Sequence, residues 1–210
     1  MKKSILFLFT LMSFVFTNSS VSKAQAVEKG DIIIDGYYGW PNLWSGILKA
    51  FYVTDLGTGE SNVEVKSFGP AGGRFEYMVT EQFGIGLDVS YANSAITWGD
   101  SVLNSETWLN EYETYKVSVP RFRIVPRFNY HFEQSEKIDL YGVFGIGYNG
   151  ISYKFETSDD FWDHIEAKNL VPISYRLAVG VRFFMSDNIG INFEAGIGGP
   201  LLTGGISVKL

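Results

Sequence analysis

The residues best suited to chemistry crowd into one acidic stretch, Ser158-Asp159-Asp160-Phe161-Trp162-Asp163-His164-Ile165-Glu166. Carboxylates and a histidine at i, i+3 and i+4 spacing suit a divalent cation, and a histidine near a serine suits hydrolysis. The metal candidate within it comprises Asp159, Asp160, Asp163, His164 and Glu166. A solvated acidic loop has the same composition, so the expectation is a loop without metal and a chain that is not an enzyme. The glycine-rich runs 142–147 and 196–199 lack the GxGxxG spacing that opens a helix after a strand. They are not phosphate cradles, and no cofactor is expected.

A second set of chemically capable residues is spread along the whole chain. Arg74, Glu76, Asp88, Arg121, Arg123, Arg127, Arg176, Arg182, Glu194 and Lys209, with Asp35, fall on the polar side of segments that alternate strictly. Residues 83–91 read Phe-Gly-Ile-Gly-Leu-Asp-Val-Ser-Tyr, with apolar residues at odd positions and small or polar ones at even positions. Successive side chains leave opposite faces of a strand, so this pattern makes a β-strand with two chemically different faces. A helix is a poor alternative: two glycines in nine residues would each cost about 1 kcal/mol in a helix interior, and the apolar residues do not recur at i, i+3 and i+4.

The pattern returns at 31–39, 69–79, 112–132, 138–155, 171–183, 189–197 and 201–210, giving eight strands. Within 112–132 the apolar parity reverses, which predicts a β-bulge near Val119-Pro120. Between the strands lie long connections over 40–68, 93–111 and 156–170, short turns, and a tight last loop at 198–200. A short amphipathic helix is expected over 43–53. Long and short connections alternate, as they do when an up-and-down barrel places alternate connections at opposite ends.

Bulk properties narrow the classes. With 19% charged and 16% aromatic residues the chain is too apolar for disorder, and with no cysteine it has neither disulfides nor thiolate chemistry. A net charge of −6 makes nucleic acid an unsuitable partner. Lys2 and Lys3, the apolar run 5–16 and Ala24-Gln25-Ala26 read as a secretory signal. The expected division is a signal peptide over 1–26 and one barrel domain over 27–210.

Alternation alone fits two barrels: a soluble lipocalin-like one with its apolar face inside, and a membrane one with that face in lipid. Long loops at one end and short turns at the other favour the membrane barrel. So do aromatics near the strand ends: Phe83, Tyr130, Phe132 and Phe183 toward the short turns, Trp40, Tyr91, Trp98, Tyr148 and Tyr153 toward the long loops. The polar stripe then lines a lumen narrow enough for side chains to fill, where charges need partners. His131, near a short turn, belongs with that stripe.

These features, with the segment Gly69-Pro70-Ala71-Gly72-Gly73-Arg74-Phe75-Glu76-Tyr77-Met78-Val79 and an apolar last residue, resemble the small outer-membrane β-barrel proteins: the OmpX-like proteins, the OmpA transmembrane domain and the OmpW-like proteins. The sequence ends in Leu210, where that family usually ends in phenylalanine, and a barrel without the peptidoglycan-binding domain of the OmpA type is expected. The resemblance implies an all-β, eight-stranded antiparallel up-and-down transmembrane barrel with three long extracellular loops and short periplasmic turns. The expected role is structural or surface-interacting, with a lumen plugged by charged residues. The expected partners are outer-membrane lipids, lipopolysaccharide and, during biogenesis, the barrel assembly machinery. The alternatives are a narrow channel for small hydrophobic or anionic solutes of the OmpW type, a lipid A-modifying enzyme, and a secreted lipophile binder.

Overall fold

The computed structural model describes residues 25–55, 63–103, 110–158 and 165–210. In chain order the elements are β1 (Ile32–Trp40), α1 (Leu43–Asp55), β2 (Glu64–Met78), β3 (Phe83–Leu103), β4 (Asn110–Ser118), β5 (Arg121–Gln134), β6 (Ile138–Thr157), β7 (Ile165–Lys168), β8 (Ile173–Phe184), β9 (Ile189–Ile197) and β10 (Leu202–Lys209). All pairings are antiparallel, and the path β1-β2-β3-β5-β6-β8-β9-β10 returns to β1. Eight staves thus close into an up-and-down barrel without a free edge.

The alternation decides which face is which. Along β8, Ile173, Tyr175, Leu177 and Val179 are exposed, whereas Ser174, Arg176, Ala178, Gly180 and Arg182 are buried. The same holds in β5, where Phe122, Phe128 and Tyr130 point out and Arg123, Arg127 and Asn129 point in. Phe128, Ile146 and Leu177 are 59%, 57% and 56% exposed, part of an apolar belt far larger than a soluble monomer displays. Lipid is the environment that covers such a belt. A lipophile-binding barrel needs the opposite arrangement, so that alternative does not hold.

Aromatics mark both rims of the belt. Phe83, Tyr130 and Phe132 form a chain of ring contacts near the short turns, with centroids 5.0 and 5.3 Å apart. Trp40, Tyr91 and Tyr148 are exposed toward the other end. Trp98 departs from the expected girdle: its ring stacks on Tyr115 at 5.7 Å, and Tyr115 in turn stacks on Phe155.

The short turns share one device. Thr80, Ser135 and Ser186 each accept a hydrogen bond on the hydroxyl from the N–H three residues on, at Phe83, Ile138 and Ile189, over 2.9, 3.1 and 3.2 Å. A hydroxyl that satisfies a turn N–H makes a connection of this length self-sufficient.

The long-loop end is more regular than the sequence suggests. Within 93–111, expected as a polar connection, β3 instead runs on to Leu103 and β4 begins at Asn110, and the two pair from Ala95–Ser118 to Leu103–Asn110. β2 likewise begins at Glu64 rather than at Gly69. The bulge lies elsewhere too. Register slips between Phe68 and Ala71 on β2, where Gly69 has φ +72° and a Cβ would stand 2.6 Å from the Tyr91 carbonyl oxygen. Only glycine accepts that backbone at no cost.

At Val119-Pro120 there is a strand break without a slip. Ala95 faces Ser118 and Ala92 faces Arg121 on one side, while Lys154 faces Ser118 and Ile151 faces Arg121 on the other. The reversal of apolar parity has another cause. Above the lipid belt the inner face of the hairpin packs against protein, through Trp98, Tyr115 and Phe155. Apolar side chains therefore turn inward there with no change of register. The expected helix is α1, laid over the barrel opening. Leu48 is buried, Trp44 meets Tyr153 edge-on at 5.7 Å, and Asn42 donates to the carbonyls of Phe68 and Asn93.

Candidate functional site in the barrel lumen

Parity delivers the charged residues to the interior, and the width of eight staves forces them together. They form two layers. Near the short turns, Arg182 is bonded to three carboxylates: Glu76 at 2.7 Å, Asp35 at 3.0 Å and Asp139 at 3.0 Å. His131 bridges two of the same acids, Nδ1 to Asp139 at 2.6 Å and Nε2 to Glu76 at 2.9 Å. Ser207 donates to Asp35 at 2.6 Å, and the Tyr141 ring lies 4.4 Å from the Arg182 guanidinium.

The second layer is nearer the long loops. Glu194 receives Arg127 at 2.7 Å and Arg176 at 2.6 Å, while Asp88 lies 3.4 Å from Arg127 and 3.5 Å from Arg74. Tyr37 donates to Asp88 at 2.6 Å, and its ring carries the Arg74 guanidinium at 3.8 Å. Arg74 also donates to Thr203 at 2.8 Å and lies 3.5 Å from Glu194. All of these side chains are buried. The layers are polarised: three carboxylates surround one arginine below, and three arginines share two carboxylates above.

An apolar floor closes the short-turn end. Ala26, Val27, Ile33, Met78 and Phe184 form one buried cluster beneath the lower layer. The Ala26 N–H donates to the Ser135 carbonyl and its own carbonyl accepts from Lys209, both over 2.9 Å.

Of the residues expected in the lumen, Asp35, Arg74, Glu76, Asp88, Arg127, Arg176, Arg182 and Glu194 meet in these two layers. Arg123 is buried above them and bonds Ser174 Oγ and the Tyr175 carbonyl. Arg121 is half-buried at the rim, and Lys209 sits at the floor, 3.9 Å from Asp31. Asp139, Tyr37 and Tyr141 complete the network. Parity places Asp139 inward, because Leu140 and Phe144 have the outward parity of β6.

The acidic stretch is divided. Asp159, Asp160, Asp163 and His164 lie outside the described residues. Glu166 is exposed on β7, 4.0 Å from Lys154. Ser158 donates to the Glu113 carboxylate and accepts from the Thr114 N–H at 2.9 Å, so the described part of the stretch is engaged in cross-strand contacts.

A closed antiparallel barrel with an apolar belt outside and a charged, side-chain-filled interior is an integral β-barrel of the outer membrane. The chain belongs to the outer membrane protein beta-barrel domain family, whose model matches residues 14–201. A search among curated proteins finds no match. Among solved structures it is similar to Ail, the attachment invasion locus protein of Yersinia pestis, in complex with the heparin analogue sucrose octasulfate, at 16% identity and TM-score 0.37, over 87% of this chain and 99% of that one. It is similar to the outer membrane protein OprG of Pseudomonas aeruginosa at 14% identity and TM-score 0.41, over 90% of this chain and 99% of that one. The corresponding figures for outer membrane protein W of E. coli are 13%, 0.41, 87% and 99%.

Proposed function

We propose that this chain is a non-enzymatic outer-membrane protein whose lumen is closed by its own charged side chains and whose work is done at the long-loop end, facing the cell exterior. The observation that carries this reading is the interior itself. Arg182, Glu76, Asp35, Asp139 and His131 are all buried and bonded to one another across the lumen. Below them the apolar floor adds a second seal. An interior of eight staves filled to this degree leaves no continuous path for water.

Catalysis from the lumen is disfavoured by the same arrangement. Both ring nitrogens of His131 are committed to carboxylates, and the residue is fully buried. The partners of such a protein are outer-membrane lipids and lipopolysaccharide along the belt, and the barrel assembly machinery during biogenesis. Export proceeds through an N-terminal signal that is removed.

Planar-bilayer recording tests the reading. The reconstituted protein should show no stable conductance steps, because two charged layers and the floor each close the lumen. Steady ohmic conductance from the unaltered protein would contradict a closed lumen.

A further inference from the structure

Six arginines point into the lumen, and four of them have carboxylates. Arg74, Arg127, Arg176 and Arg182 each lie within 3.5 Å of an acidic oxygen. Arg123 and Arg121, four and six residues beyond Arg127 toward the long loops on β5, have no ion pair among the described residues. Arg123 is only 7% exposed. Its Nε donates to Ser174 Oγ at 2.5 Å and one Nη to the Tyr175 carbonyl at 2.8 Å, but its other Nη is buried without an acceptor. The Nε of Arg121 is likewise buried without one.

A guanidinium cannot shed its proton to escape burial. Two of them side by side in a partly desolvated mouth therefore need a counter-charge. Space for one exists. Arg121 and Arg123 line a cavity of about 40 Å³ with Ser90, Asn149, Gly199 and the start of α1 at Leu43. That is several times the roughly 10–15 Å³ one water occupies. Gly199 keeps the cavity open: a Cβ there would stand 2.6 Å from the unbonded Nη1 of Arg123 and 3.2 Å from Nη1 of Arg176.

We propose that this mouth is an oxyanion site, with Arg123 as its buried anchor, Arg121 as its second ligand, and a phosphate or sulfate group as its occupant. The planar fork of arginine meets such groups with two parallel charge-assisted hydrogen bonds. Ser90 and Asn149 border the same cavity and give it a polar wall. Polarisation of the lumen works in the same direction, because the acidic layer lies at the far, short-turn end. The group is carried either by a free anion or by a lipid A headgroup reaching over the rim, and the site does not depend on whether the lumen conducts.

The test uses the full chain refolded in an uncharged maltoside detergent, with arginine labelled by ¹⁵N and the Nε–H resonances followed as sodium phosphate replaces chloride at constant ionic strength. The resonances of Arg121 and Arg123 should move and saturate while those of Arg127 and Arg182 stay in place. Gly199→Ala should weaken the response by about tenfold or more, the equivalent of one charge-assisted hydrogen bond. Its fold is checked independently by a retained mobility difference between unheated and boiled samples. If bisphosphorylated lipid A moves the same two resonances at stoichiometric amounts and inorganic phosphate does not, the site stands and its occupant is a lipid. Uniform movement of all six arginines, or no movement with either probe, would overturn the proposal.

Discussion

Arg182 on β8 bonds Asp35 on β1 at 3.0 Å, across the two intervening staves β9 and β10 and 147 residues of sequence. Arg74 lies directly opposite Asp35 on β2, yet its guanidinium turns to Asp88, Glu194 and the Tyr37 ring. Bonds that cross the lumen, such as Arg182 to Asp35, thus join staves that are not neighbours, beside direct rungs of the sheet such as Arg74–Asp88 and Arg182–Asp139.

Removing the hub of that lower layer should be costly. Arg182→Met leaves Asp35, Glu76 and Asp139 buried with only His131 among them. Breaking a buried pair from one side costs about 3–5 kcal/mol. Urea unfolding of the barrel in detergent is expected to show a loss of at least that order. A loss near zero would mean that the carboxylates reach water.

Gly180 faces the Tyr141 ring, where a Cβ would stand 2.3 Å from Cζ. The ring lies between Arg182 and His131, with its centroid 5.8 Å from the imidazole, and has nowhere to move. Gly180→Ala is expected to destabilise by about 1–3 kcal/mol through overpacking. The same unfolding assay measures it.

Depth in the membrane should grade the cost of charge on the outer face. Leu87 stands midway between Phe83 and Tyr91, the two aromatic ends of its stretch of β3. Leu87→Arg is expected to cost about 2–4 kcal/mol and Phe83→Arg about 0–1. Equal costs would place both residues at the same depth and contradict the assignment of the rims.

The contacts of Ala26 bear on processing. A cut after Ala26 would remove a residue that is 1% exposed and bonded to Ser135 and Lys209. Ser22-Lys23-Ala24 offers a second small-x-small site two residues upstream. N-terminal sequencing of the protein taken from the outer membrane is expected to begin at Gln25. A start at Val27 would show that the floor forms without Ala26.

Much of this architecture is legible in the sequence because a strand has period 2 and the two sides of this barrel differ so sharply. Parity alone puts Arg127 and Arg176 inside and Phe128 and Leu177 outside. It fails above the membrane, where Tyr115, Val117 and Val119 break the rule that an apolar side faces lipid, because Trp98 and Phe155 offer them protein instead. Pairing is not legible either. Asp35 could meet Arg74 beside it or Arg182 across the lumen, and only the curvature of the closed barrel brings the second within reach. The floor escapes for a third reason: Ala26 looks like the last residue of an export signal, and nothing local says that it and Val27 pack on Met78 and Phe184.

The central claim is a barrel with lipid outside and no water-filled passage inside, and a cysteine scan of β8 tests both halves at once. The chain has no native cysteine, so each substitution reports alone. In liposomes, cysteines at Tyr175, Leu177 and Val179 should react with a lipid-soluble maleimide and not with a water-soluble methanethiosulfonate, while a cysteine at Ala178, buried below the mouth, should react with neither. Modification of Ala178→Cys by the water-soluble reagent would show an open aqueous lumen and contradict the account.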